Sequence, residues 1–326
     1  MSKTRLKRYG FFLALLVVLI GSPFLFSSCS HVVLPIGPYS GNPIPVPDTL
    51  IGGTTNWFSG IAWSGEQFVA VGSKGRIVTS PDGITWISRK FDDITTDGIV
   101  WSGEQFVAAR RNGTIVTSPD GITWTGRTSG STDWFKGIAW SGTQFVAVGE
   151  SGTIVTSPDG ITWTSRTSGT AQWLHGIAWS GTQFVAVGNS GTVVTSPDGV
   201  NWTKRTSGTT RWLHGIAWSG TQFVAVGCIF TSPDGAIWKS RASGTTRWLH
   251  GIAWSGTLFV AVGNSGTIVT SSDGVNWTSR TSGTTEGLIG ITWSGTQFVA
   301  VGTNGAIVTS PDGITWTSRI WYSSDQ

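Results

Sequence analysis

Residues 173–205 read WLHGIAWSGTQFVAVGNSGTVVTSPDGVNWTKR, and the alternation of short runs and turns in that stretch decides the fold. Four segments, 176–180, 183–187, 192–196 and 200–205, are rich enough in β-branched and aromatic residues to form strands. Between them lie Ser180-Gly181-Thr182, Gly188-Asn189-Ser190-Gly191 and Ser196-Pro197-Asp198-Gly199, all turn compositions. In the last, Ser at i, Pro at i+1 and Gly at i+3 match a type I turn. The Asp198 carboxylate is then placed to accept backbone N–H bonds, with Trp202 covering the turn.

The same unit recurs along the chain. The Trp of the GIAWSG-like segment stands at Trp63, Trp101, Trp140, Trp179, Trp218, Trp254 and Trp293. The Asp of the turn stands at Asp82, Asp120, Asp159, Asp198, Asp234, Asp273 and Asp312. Four strands about every 39 residues, seven times over, spell an all-β, seven-bladed β-propeller of four-stranded blades across residues 54–326. The run Phe184-Val185-Ala186-Val187 is apolar throughout, as in a strand covered on both faces. The first strand alternates by size instead. Trp173, His175, Ile177 and Trp179 share one side and Gly176 and Ala178 the other, so a large face of one blade meets a small face of its neighbour.

The turn S-P-D-G-I-T-W resembles the Asp-box, or BNR repeat, of sialidase-type propellers, in a form one residue shorter than S-x-D-x-G-x-T-W. Over residues 54–320 the chain is similar to bacterial seven-bladed propellers of the photosystem II assembly-factor type. The resemblance implies the propeller fold and gives the seven Asp turns a structural role on the rim, away from the ligand face. It does not carry chemistry with it.

Composition narrows the function. With 46 Gly, 20 Trp and 12% charged residues the chain is a poor helix former, and 39% hydrophobic is too much for disorder. The net charge of +4 comes from Lys3, Arg5, Lys7 and Arg8; without them 17 basic residues face 17 acidic ones, which argues against a nucleic-acid partner. Those four precede Phe11–Ile20, an apolar run suited to an export signal and too short to span a bilayer. Leu25-Phe26-Ser27-Ser28-Cys29 resembles the lipobox of bacterial lipoproteins. The resemblance implies a signal peptide over 1–28 and lipidation of Cys29. A linker with Pro35, Pro38, Pro43, Pro45 and Pro47 follows within 29–53, and the address is the bacterial cell envelope, anchored to its membrane through Cys29.

A glycosidase of the sialidase type needs a Tyr nucleophile and converging arginines. The only tyrosines are Tyr9, Tyr39 and Tyr322, outside the blades, and Arg89, Arg127, Arg166, Arg205, Arg241, Arg280 and Arg319 fall at one equivalent outer-strand position, where they read as solvated edge charges. No P-loop, CxxC pair or cofactor motif is present, so neither cofactor nor metal is expected and the protein reads as a non-enzyme.

Binding is expected where the repeats differ. The residue before the GIAW Gly runs Ser59, Asp97, Lys136, His175, His214, His250 and Ile289. Three consecutive histidines fit a metal or an acidic ligand near the axis, and equally the duplication of one WLHGIAWSG unit. Trp57, Trp134, Trp173, Trp212 and Trp248 stand beside that position, with Arg211 and Arg247 next to two of them. They serve either as inter-blade filler or as a surface for a peptide or a sugar ring. Repeat 2 adds Asp92, Asp93 and Asp97 opposite Arg110 and Arg111, read as mutual salt bridges, an asymmetric docking spot or a calcium site. Cys228 lies in a turn three residues short, Gly227-Cys228-Ile229, and with Cys29 acylated it is expected to be a buried free thiol. The function that follows is binding of a protein or assembly partner; multivalent glycan recognition is the alternative, and a sialidase-like hydrolase the second.

Overall fold

The computed structural model describes residues 57–320. The leader, Cys29, the linker and the three tyrosines lie outside the described residues. Twenty-eight strands form seven four-stranded antiparallel sheets, each built from four consecutive strands. The blades cover 58–90, 96–128, 135–166, 174–206, 215–241, 249–280 and 288–320. In blade 4 the strands are Leu174–Trp179, Phe184–Gly188, Thr192–Ser196 and Thr203–Thr206. The outer strand thus starts at Thr203 rather than at residue 200, because residues 200–202 are held by the Asp turn.

That turn has one geometry in all seven blades. In blade 3 the Asp159 Oδ1 accepts N–H bonds from Ile161 (2.8 Å) and Thr162 (2.9 Å) and the hydroxyl of Ser157 (2.9 Å). Trp163 donates its indole N–H to the Gly160 carbonyl at 3.0 Å. The bonds from Thr162 and then Ile161 hold the carboxyl below its ordinary value of 3.8. Gly160 sits at φ +74°, where a side chain would be strained.

The core is divided among the blade interfaces, one apolar cluster at each of the seven boundaries. Alternation along the second strand makes this possible. Phe184 and Ala186 of blade 4, with Ile177 and Trp179, pack on Ala139, Val146 and Val148 of blade 3. Val185, Val187 and Ala178 turn the other way, to Leu213, Ile216 and Phe223 of blade 5. Each first-strand Trp also stacks on the Phe of its own second strand, at 4.1–4.5 Å between ring centroids. Large sides therefore meet small sides, as the size alternation implies.

Two further contacts lock neighbours together. The Gln of the first hairpin reaches the Asp turn of the next blade, as in Gln144 Nε2 to the Asp198 carbonyl at 2.6 Å. This clasp forms at six boundaries. At the seventh, Leu258 stands in place of the Gln and makes an apolar contact with Gly313 instead. At the axis, the GIAW Gly of each blade lies against a backbone carbonyl of the next: a Cβ on Gly176 would be 2.8 Å from the His214 carbonyl oxygen. The ring closes between blades 7 and 1 by these same contacts. Gln297 bonds the Asp82 carbonyl at 2.8 Å, and Val299, Val301 and Ile307 pack on Phe58, Phe68 and Val78.

The outer-strand arginines correct an expectation. They are half-buried rather than solvated, and five of them donate from Nε to a Thr on the third strand, as Arg205 does to Thr195 at 3.0 Å. Their side chains lie across the sheet, so the aliphatic stems cover it.

Candidate binding face

The first strand does not run straight to the mouth of the axis. In blade 4 Leu174 pairs with Gly188 and Gly176 with Val187, which leaves His175 as an extra, unpaired residue. The same register shift occurs at Ser59, Asp97, Lys136, His250 and Ile289. Such a bulge bends the strand and re-aims the extra side chain. It breaks the alternation expected from the sequence, so Trp173 and His175 do not continue the face of Ile177 and Trp179. Gly188 permits this, because a Cβ there would lie 1.8 Å from the Trp173 carbonyl oxygen. Six of the seven variable residues are aimed at the mouth of the axis in this way; in blade 5 the first strand starts at Gly215, and His214 stands just ahead of it.

Outside them runs an arc of aromatic side chains. Trp134 and Trp173 meet edge to face at 5.9 Å, and Trp212 and Trp248 at 6.5 Å. His175 bridges Trp173 and Trp212 at 6.2 Å from each, and His214 lies 5.6 Å from Trp248. Repeat 2 has Thr95 where five of the repeats have Trp, and Arg111 fills the gap. Its guanidinium stands 5.7 Å from the Trp57 ring and 5.3 Å from Trp134, a cation–π bridge across the missing position. Blade 7 has Gly287 there, so the arc spans blades 1 to 6 and opens at blade 7.

The charges of repeat 2 pair with one another. Arg111 Nε bonds Asp97 at 2.9 Å and Lys136 Nζ bonds the same carboxylate at 3.2 Å. Burial works against Asp97 ionising, but Lys136 and Arg111 hold its carboxyl below the ordinary value. Arg110 pairs with Asp92 and with the Ile94 carbonyl. At 3% exposure it is a buried strut, not the ligand-facing residue the sequence suggested, because it is the last residue of its strand and is drawn onto Asp92, while Arg111 lies in the turn beyond. With Asp92 and Asp97 given to separate cations, the calcium reading loses its ligands.

The three histidines do come together, with ring centroids 5.2 Å apart for His175 and His214 and 5.0 Å for His214 and His250. His175 Nε2 is hydrogen-bonded to Asn189 at 2.5 Å and His250 Nε2 to Asn264 at 2.7 Å. Burial lowers all three: His175 to about 4, His214 well below 6.5 and His250 in the same direction, the two Asn bonds opposing it. Among the described residues no three His, Cys, Asp or Glu side chains are arranged to hold a metal ion. The Asn partners were missed in the sequence, although Asn recurs at one turn position in repeats 4 and 6. Arg211 is half-buried and Arg247 exposed, beside Trp212 and Trp248. Cys228 is buried at 3% exposure but is not free. It is disulfide-bonded, which corrects the expected free thiol.

The opposite face differs in kind. Its loops carry the seven turn aspartates, Glu66 and Glu104, all exposed, and contain no Lys, Arg or His. Each Asp turn also exposes an aliphatic residue there, such as Ile84 or Ile161. Bases are thus kept off this face while acids occur on both, and the aromatic arc lies at the opposite end.

Fold and face together define a seven-bladed β-propeller whose variable residues collect at one end of the axis. No protein-family model matches the chain, and no curated protein sequence matches it. Among solved structures it is similar to YCF48 bound to D1 peptide, at 18% identity and a TM-score of 0.64, covering 79% of this chain and 93% of that one. It is also similar to YCF48 from Cyanidioschyzon merolae, at 16% identity and TM-score 0.62 over 78% and 94% of the two chains. A third is the Cps50 (Swd1) β-propeller domain of Myceliophteria thermophila, at 13% identity and TM-score 0.60 over 78% and 96%. At these identities the likeness is one of fold.

Three depressed imidazoles make a signed prediction. The unfolded chain protonates them near 6.5 and the folded protein only at lower pH, so the unfolded state binds more protons in between. Stability is then lost as pH falls from about 6.5 towards 4. Thermal melts at pH 7 and pH 5 should show a smaller acid-induced drop for His214→Gln than for the wild type; equal drops contradict the assignment.

Proposed function

We propose that the protein is a non-enzymatic docking module that binds a protein partner through the aromatic arc at the mouth of the axis. The observation that carries this is the arc itself: five half-buried or exposed tryptophans, bridged by Arg111, on the end where the repeats diverge. Trp and Arg are the residues on which protein interfaces most often concentrate their binding energy. One propeller of similar fold, YCF48, is described with a bound D1 peptide, which supports a peptide or protein ligand over other classes. The tryptophans pack edge to face on one another and on histidines, which suits side chains wedged between them better than flat sugar rings.

The test is quantitative capture from envelope extract by three proteins. The wild type should retain one partner stoichiometrically, and Trp173→Ala with Trp212→Ala should lose it. Asp159→Ala, on the acidic face, should keep it while losing stability on the order of 1 kcal/mol through its turn hydrogen bonds. Loss in the Asp159 variant without unfolding, or retention in the double Trp variant, contradicts the reading. Binding to immobilised glycans with no protein retained favours the lectin instead.

We further propose that residues 1–28 are a lipoprotein signal, that the turns are shortened Asp-boxes, and that Cys29 anchors the protein to the cell envelope membrane. Several acyl chains on one residue hold firmly where one is marginal. One sulfur cannot carry both a thioether and a disulfide, so the mass of the membrane-extracted, unreduced protein decides. A lipid-modified Cys29 supports the anchor; Cys29 in a disulfide overturns it.

A further inference from the structure

His214 differs from the two histidines beside it, and the difference traces to a deletion. In blades 4 and 6 the turn between the second and third strands supplies the Asn that holds the histidine. Blade 5 lacks three residues at that turn. Gly227-Cys228 closes the hairpin, with Gly227 at φ +142°, and the Asn position is gone. The His214 ring is half-buried and flanked by Trp212 at 6.2 Å, Trp248 at 5.6 Å, His175 at 5.2 Å and His250 at 5.0 Å. Its nitrogens have no hydrogen-bond partner among the described residues. They are left open to water or to a ligand.

The surrounding charges select the ligand chemistry. The loops that blades 4, 5 and 6 contribute to this face are 167–175, 188–191, 206–214, 227–228, 242–250 and 263–267. They contain Arg211, Arg247 and the three histidines, and no acid. The guanidinium groups of Arg211 and Arg247 make no ion pair with the described residues. From the neighbouring blades, Lys136 and Asp97 act on the histidine row, and Asp97 is already taken by Lys136 and Arg111. Blade 7 brings Ile289, which is uncharged, and Glu286, whose carboxylate accepts hydrogen bonds from Thr303 and Asn304 of its own blade. A cationic group would meet repulsion there. A neutral group would gain a hydrogen bond alone, and an anion would gain both the bond and the unpaired guanidinium field.

We infer that His214 anchors a carboxylate subsite at the mouth of the axis, walled by Trp212 and Trp248 and flanked by Arg211 and Arg247. The inference rests on the aromatic end being the docking face, and it names what the partner must present: an acidic side chain or a chain terminus seated in the notch of blade 5. The carboxylate accepts the imidazole N–H, and as the anion arrives the ring takes one proton from solvent. No bond is broken. Binding is therefore coupled to proton uptake, and affinity for such a partner rises as pH falls below neutrality.

Formate is the simplest probe, because it carries the carboxylate and little else. The imidazoles of the intact protein are titrated by NMR in sodium formate and in sodium chloride, both at an ionic strength of about 0.1 M. The expected result is a rise of about one unit in the His214 pKa in formate, a tenfold preference of formate for the protonated ring. His175 and His250 should rise less, and N-acetylhistidine in the same two buffers serves as the reference. Arg211→Gln with Arg247→Gln should reduce the His214 rise. Identical His214 titrations in the two salts, or a shift no larger than that of the free imidazole, overturn the subsite. No partner enters this experiment, so a negative result removes the subsite and leaves the docking reading to the capture assay. Lost capture with an intact formate shift does the reverse.

Discussion

Where the first strands converge on the axis, the backbone of each blade runs directly against the backbone of the next, and the residue at that point has no room for a side chain. A Cβ on Gly60, Gly98, Gly137, Gly176, Gly215, Gly251 or Gly290 would lie 2.5–2.9 Å from a carbonyl oxygen of the adjoining blade. The distances barely vary around the ring, although the residue whose carbonyl is met changes from Ser to Asp, Lys, His and Ile. Backbone fit therefore sets the radius, and the large-on-small packing of the seven interfaces follows from it. Farther out, the Gln clasps fix six of the seven Asp turns onto the blade before them, so the two levels of contact act on the same boundary.

The same constraint prepares the binding face. In six blades the residue immediately before the axial glycine is the extra one in the bulge, held by its backbone and released from the ladder, and in blade 5 His214 stands just ahead of the strand. Its side chain contributes little to blade pairing, so it is free to differ from blade to blade. Ser59, Ile289, the Asp97–Lys136 pair and the three histidines are all compatible with one backbone. Rigidity at the glycine and freedom at its neighbour are two consequences of one local geometry. That is how a sevenfold scaffold presents an asymmetric surface.

Much of this was legible in the residues. The seven Asp turns and the Trp spacing spell the blades, and the size alternation of Ile177, Ala178 and Trp179 describes the interfaces. Other features need the third dimension. The bulge inserts one residue without altering the repeat, so a period-two reading carries His175 onto the wrong face. The Gln clasp joins residues 51 to 54 apart, and 215 apart where the ring closes, and its acceptor is a backbone carbonyl, which no side-chain pattern marks. Arg205 and its equivalents look exposed because their strand is the outermost, yet they fold back onto Thr hydroxyls. Net charge hid the exclusion of bases from one face, since a sum carries no positions. The Asn189 and Asn264 contacts were visible only as a recurring turn residue, and their absence from blade 5 looked like a deletion and nothing more.

The account stands on the axial glycines, and thermal unfolding of two single variants tests it most directly. Gly176→Ala places a methyl group 2.8 Å from a backbone carbonyl that cannot yield without moving blade 5. Gly126→Ala sits on an exposed outer strand with nothing within 4 Å of the new atom. Overpacking of this kind costs about 1–3 kcal/mol, so Gly176→Ala should melt well below the wild type, with altered histidine resonances at the mouth. Gly126→Ala should match the wild type or exceed it slightly through a less flexible unfolded chain. A Gly176→Ala protein that melts with the wild type and keeps its histidine spectrum would contradict the claim that backbone contact at the axis sets the ring.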